Sequence, residues 1–172
     1  MNAAVAEPSN CCTIQDIYNL PEGQRAELID GVLYMMAAPG RIHQELVTDF
    51  TYLIKDYIKN KKGDCRVYPA PFAVFLNANN DIYVEPDISV ICDRNKLTDE
   101  GCKGAPDWII EIVSPSSRPM DYNKKLLKYG TAGVKEYLIV DPLKQLILVY
   151  NFEQDTFEEY SFSDKVKEYS SN

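Results

Sequence analysis

Apolar and polar positions recur along this chain with two different periods, and the switches between them outline its elements. "TIQDIYNL" offers Thr13 as the cap of a short helix that Pro21 stops. "RAELIDGVLYMM" reads as two extended arms around Asp30-Gly31, a hairpin signal between apolar runs. From Ile42 to Lys59 the apolar residues fall at Ile42, Leu46, Phe50, Leu53, Ile54, Tyr57 and Ile58, which is helical spacing and predicts the longest helix; Lys61, Lys62 and Gly63 end it. "CRVYPAPFAVFL" is extended but broken by Pro69 and Pro71, and "NANND" is a turn. "IYVEPDISVIC" reads as one buried strand, and "DRNKLTDEGCKG" as polar and irregular with at most a helical turn. "DWIIEIVSPSS" is β-branched enough for a central strand. Asp121 to Ala132 predicts a helix with Gly133 placed to end it, then "KEYLIVDP" a strand and "QLILVYNFEQDTFEEYSF" a hairpin. This order predicts an α+β or mixed α/β fold, a curved mixed sheet flanked by helices.

Length adds that 172 residues form one domain, expected over 13–162 between flexible tails at 1–12 and 163–172. No apolar run approaches the roughly 20 residues needed to cross a bilayer, and the N-terminus lacks the basic start and apolar stretch of a secretory signal. No membrane association is expected, and a cytoplasmic protein is. Cys11, Cys12, Cys65, Cys92 and Cys102 form no CxxC pair, which argues against zinc or thioredoxin chemistry and for reduced thiols. There is no Gly-rich phosphate loop, Gly-x-Ser-x-Gly elbow or His-Glu-x-x-His. Charge changes the picture more. A net charge of −8 disfavours nucleic-acid binding unless a local basic patch exists. Lysines do cluster, at Lys55, Lys59, Lys61 and Lys62 and again at Lys124, Lys125 and Lys128. Each cluster is either such a patch or a solvated helix face, and for the first the solvated face is the favoured reading.

The candidate chemistry lies where carboxylates interrupt apolar runs. Glu85, Pro86 and Asp87 break one strand, and Glu111 stands alone among Ile109, Ile110, Ile112 and Val113. An ionised acid in such surroundings must be paired, neutralised or bound to a metal. Taken singly, Asp87 reads as the cap of a turn and Glu111 as the partner of a lysine such as Lys125. Taken together, on neighbouring strands, the two would meet and hold a cation, and oxygen-only ligands suit Mg²⁺ or Mn²⁺. Asp121, Lys125 and Tyr129 recur every four residues and share a helix face, with Leu126 and Leu127 expected to anchor it. That face either swings the lysine over the acids or carries an ordinary surface pair. His43, the only histidine, opens the long helix. It is either a partly buried helix-start residue or a ligand or proton carrier over the site. Glu27 would complete a metal shell, although its pattern favours a solvent-facing residue of an edge strand.

In order, "ELIDGVLYMM", "PGRIHQEL", "VEPDISVI", "WIIEIVSPSS" and "DYNKKLLKYGTAGVKEYLIVDP" resemble the Uma-two family, described as "putative restriction endonuclease" domain proteins, within the PD-(D/E)XK nuclease superfamily. The resemblance covers roughly Ile14 to Tyr160. It implies a restriction-endonuclease-like fold, with Pro86-Asp87 and Glu111 matching the motif acids. Val113 stands where the superfamily has its lysine, and the resemblance implies that Lys125 takes over that role. Glu27 and His43 would border the site. Asp87, Glu111 and the Ile112 carbonyl would hold Mg²⁺ (or Mn²⁺), Lys125 would position water, and DNA would be the substrate. A homodimer is common among relatives, and the C-terminal hairpin would serve it. The other function class is a catalytically weak or inactive relative that uses the same fold to bind nucleic acid or protein.

Overall fold

Asp30 and Gly31 both adopt left-handed backbone, with φ of 53° and 72°, so the chain reverses tightly between β1 (Ala26–Ile29) and β2 (Val32–Met35). The structure is a computed structural model that describes residues 11–79 and 81–164, so the expected tails lie almost wholly outside the described residues. Thr13 starts α1 (Ile14–Tyr18), and its N–H and hydroxyl both donate to the Asp16 carboxylate. The long helix, α2, runs Arg41–Asn60.

The segment expected as one strand divides into two. β5 (Tyr83–Val84) and β6 (Ile88–Ile91) belong to different sheets, and Glu85-Pro86-Asp87 is the crossing between them. Proline cannot donate to a ladder, so the chain leaves one sheet where Pro86 stands. β3 (Arg66–Pro69) and β4 (Val74–Phe75) part company in the same way around Pro71. The polar stretch after β6 is also more regular than its composition suggests. β7 (Leu97–Thr98) and β8 (Gly101–Lys103) form a small hairpin, and β8 pairs in parallel with β4. The remaining strands are β9 (Trp108–Ile112), β10 (Glu136–Asp141), β11 (Leu146–Asn151) and β12 (Thr156–Ser161).

Among the described residues there are thus two mixed sheets, not one, with orders β2-β1-β5-β4-β8-β7 and β12-β11-β10-β9-β6-β3. Period-two alternation sends the two faces of β9 to different cores. Ile109 joins Ile29, Val74, Val84, Tyr137 and Ile139 between the sheets, while Ile110 and Ile112 join Ile88, Val140 and Val47 of α2. α1 covers the outer face of the first sheet, where Ile14 and Ile17 meet Leu28 and Phe75. Glu111 lies on the same side of its strand as Ile109, facing the inter-sheet core.

Residues Met120–Lys125 form a π-helical turn that continues into α3 (Leu126–Ala132), ended by Gly133 in left-handed conformation, φ 94°. Asp121, Lys125 and Tyr129 are the buried face; Leu126 packs partly on the core, but Leu127, expected as an anchor, is exposed. The thiol expectation is likewise corrected. Cys65 and Cys92 are disulfide-bonded. The antiparallel register that sets Arg66 opposite Ile91 makes these cysteines neighbours across β3 and β6. Cys11, Cys12 and Cys102 are free. No helix among the described residues is long and apolar enough to cross a membrane.

Candidate active site

β6 and β9 run antiparallel with Ile88 opposite Ile110, so continuing the register by one residue sets Asp87 opposite Glu111. The separate acids of the sequence therefore converge. The Asp87 N–H points at Glu111 Oε2 at 3.4 Å, and the Ile112 N–H donates to Asp87 Oδ2 at 2.7 Å. His43, in the first turn of α2, brings Nε2 to 3.0 Å from the same Asp87 oxygen. Asp87, Glu111, His43 and Lys125 line a cleft of about 1170 Å³.

Lys125 enters from the π-helical turn. Its ammonium lies 2.9 Å from Glu27 Oε1, 2.9 Å from Glu111 Oε1 and 3.8 Å from Asp121 Oδ1, with its side chain only 6% exposed. Tyr129, one helical turn on, donates its hydroxyl to the same Glu111 oxygen at 2.7 Å. Both groups hold Oε1, which leaves Oε2 facing Asp87. Tyr137 braces the turn by donating to the Asp121 carbonyl at 3.1 Å. Glu27 is not solvent-facing. β1 lies between β2 and β5, so it is an interior strand, and Glu27 is 4% exposed and also accepts the Glu85 N–H at 3.1 Å. The sequence pattern could not show this, because the strand that covers β1 is more than fifty residues away.

The electrostatics follow from crowding. One ammonium faces the carboxylates of Glu27, Glu111 and Asp121, with Asp87 adjacent. Burial lifts the Glu111 carboxyl well above the usual range; Lys125 pulls it down, and Asp87, Asp121 and Glu27 push it further up. Burial likewise raises Asp121 to about 6, against the lowering effects of Lys125 and of a hydrogen bond from Ser117. Burial alone would lower Lys125, but Glu111, Glu27 and Asp121 overcome it and hold the amine charged, well above the ordinary lysine value. The hydrogen bond to Asp87 raises His43 despite its burial.

The structure thus gathers Glu27, His43, Asp87, Glu111, Asp121, Lys125 and Tyr129 in one cluster. It also brings in Glu85, which the sequence marked as part of the acidic interruption but not as a site residue. Glu85 is buried, accepts the Tyr83 hydroxyl at 2.7 Å and Arg25 Nε at 2.7 Å, and lines the cleft with Arg25. The available signal was its place beside Asp87 in the one acidic interruption of that apolar stretch.

The chain has counterparts in other proteins. The family model of Uma2, described as "Putative restriction endonuclease", matches residues 14–171. The chain belongs to this family. A crystal structure of a "putative nuclease belonging to DUF820" from Anabaena variabilis ATCC 29413 superposes with a TM-score of 0.71 at 25% identity, covering 87% of this chain and 84% of that one. Two proteins of Synechocystis sp., slr1290 and sll1609, both named as uncharacterized, are also similar. The first is 24% identical over 77% of this chain and 68% of its own length, the second 26% over 69% and 67%. The fold of this Uma2 protein is therefore restriction-endonuclease-like, and the expected fold class stands.

Proposed function

We propose that this protein is a divalent-metal-dependent endonuclease that hydrolyses DNA phosphodiester bonds. The observation that carries the reading is the convergence of Asp87 and Glu111, from different strands, beside a buried lysine ammonium. The family description and the nuclease-named structural relative support the same class.

The donor chemistry fits Mg²⁺ or Mn²⁺. Asp87, Glu111 and the Ile112 carbonyl offer hard oxygens only, and the cluster carries more carboxylates than its one ammonium can neutralise. Among the described residues no group of three or more His, Cys, Asp or Glu side chains is placed to hold a metal ion, so the shell would rest on two carboxylates. Two carboxylates, a carbonyl and water are the kind of shell Mg²⁺ accepts. When bound, the ion polarises the scissile phosphate and acidifies a water. The chain's own residues do the rest. Lys125, held charged, orients the attacking water and stabilises negative charge building on the phosphate. Tyr129 and Lys125 fix the Glu111 rotamer, and the Ile112 N–H and His43 fix Asp87. The proposal extends to a cytoplasmic protein, its DNA substrate being there, and to a homodimer formed through the β11–β12 hairpin.

A second reading has its own observation. Val113 occupies the superfamily's lysine position, and Lys125 is already engaged by three carboxylates. On that reading the protein binds nucleic acid or protein without cleaving. Supercoiled plasmid decides between them. Nicking that requires Mn²⁺ or Mg²⁺ and vanishes in Glu111→Ala and Lys125→Ala supports the enzyme. DNA binding with no nicking supports the binding module.

A further inference from the structure

We infer that one face of α2 is a track for the phosphate backbone of duplex DNA, leading from the catalytic cleft to a basic end about 20–30 Å away; this rests on the nuclease reading and extends it. The helix starts at the site. Arg41 and Gln44 line the cleft, and His43 contacts Asp87. From Gln44, steps of three and four residues pass Thr48, Tyr52, Lys55 and Lys59, all of them exposed, and Lys62, also exposed, follows just past the end of the helix. At 1.5 Å per residue, Lys55 lies about 17 Å and Lys59 about 22 Å along the axis from Gln44. The helix acids Glu45, Asp49 and Asp56 fall on a neighbouring stripe instead.

The second observation is how the cations of the rest of the molecule are used. Arg25, Arg94, Arg118, Lys103, Lys128 and Lys135 each hold a carboxylate. Lys96 donates to the Ala105 carbonyl, Lys124 to the Tyr34 hydroxyl, and Lys144 lies over the Tyr122 ring. Arg41 pairs with Glu45, Lys61 lies over the Tyr57 ring and Arg66 donates to the Asp64 and Cys65 carbonyls, whereas Lys55, Lys59 and Lys62 have no such partner among the described residues, although the chain carries a net charge of −8. Unpaired positive charge thus falls at the far end of the helix that starts at the cleft, and the straight helix, polar and uncharged on this face at Gln44 and Thr48, can lie along a stiff duplex so that the lysines at its end meet the phosphates. Each phosphate neutralised adds roughly 0.9 to the slope of log affinity against log salt.

The test measures binding of a 30-bp duplex by fluorescence anisotropy over a salt series, with Ca²⁺ replacing Mg²⁺. The variant is Lys55→Gln/Lys59→Gln/Lys62→Gln. The control of equal charge is Lys103→Gln/Lys128→Gln/Lys135→Gln, and the melting temperatures of both are compared with wild type. The track predicts that the first variant loses about two to three from the salt slope and at least tenfold in affinity at low salt, while the control matches wild type. Shortening the duplex below about six base pairs on either side of the scissile bond, at 3.4 Å each, should weaken wild type but not the variant. Equal loss in variant and control, no loss in either, or no duplex binding by wild type overturns the track. So does binding to anionic phospholipid vesicles in preference to DNA, since a basic helix face also suits a membrane surface. Plasmid nicking is read separately. Unchanged salt slope with intact nicking removes the track and leaves the nuclease. Lysine-dependent binding without nicking does the reverse.

Discussion

Lys125→Met is the sharpest probe of the buried cluster. Methionine fills nearly the same volume, so packing is largely retained and the ammonium is what is lost. Three carboxylates then remain around an apolar side chain, two of them formerly 2.9 Å from the charge and the third 3.8 Å. Removing one member of a buried ion pair costs about 3–5 kcal/mol, most of it the penalty of leaving charge uncompensated. For a chain of this size that corresponds to a fall in Tm on the order of 10 °C. The pH dependence identifies the cause. Without the lysine the folded-state pKa values of Glu111 and Asp121 rise further above their unfolded values. The folded form then binds protons that the unfolded form releases, so stability is recovered as pH falls toward 4 and lost as it rises to 7. Adding Glu111→Gln to Lys125→Met should return part of the loss, making the pair less than additive. Urea denaturation at pH 7 and pH 5 measures all of this. A loss under about 1 kcal/mol at pH 7, independent of pH, would refute the claim that this ammonium compensates ionised carboxylates.

Asp121 has a folded-state pKa raised to about 6, so its ionisation costs stability as pH rises from about 4 to 6. Thermal melts of Asp121→Asn should therefore gain on wild type across that window, and parallel profiles would contradict the raised value. Tyr129→Phe removes the hydroxyl that holds Glu111 at 2.7 Å, with an expected cost of about 1–3 kcal/mol in denaturant unfolding. Cys65→Ser/Cys92→Ser opens a crosslink of sequence separation 27. The chain-entropy relation gives a loss of about 3.5 kcal/mol, and wild type with dithiothreitol should approach the variant's stability. If the acids hold an ion, Mg²⁺ at a hundred times its Kd should stabilise wild type by about 2.7 kcal/mol and leave Asp87→Ala unmoved. Equal responses would place the ion elsewhere.

Much of this site could be read along the chain, because its evidence is local. A carboxylate among β-branched residues is costly wherever the strand goes, so Asp87 and Glu111 announced themselves. Lys125 and Tyr129 followed from four-residue spacing, and the same spacing sets Leu127, midway between them, on the opposite, exposed face. The long-range facts were not legible. Glu27 became an interior residue only through the pairing of Leu28 with Tyr83. The disulfide needed the β3–β6 register, and β7 and β8 are too short and polar to show a period. Two sheets looked like one because both Val84 and Ile88 are apolar, and only Pro86 between them hinted at a change of partner.

That change of partner has a consequence for assembly. Glu27 is delivered by one β layer, Glu111 by the other, and Asp87 sits on the bridge where the polypeptide passes from layer to layer. Neither layer alone contains the candidate centre. The centre should therefore appear late, when the layers dock. It should also vanish early, whenever thermal breathing parts them, well before either ladder melts.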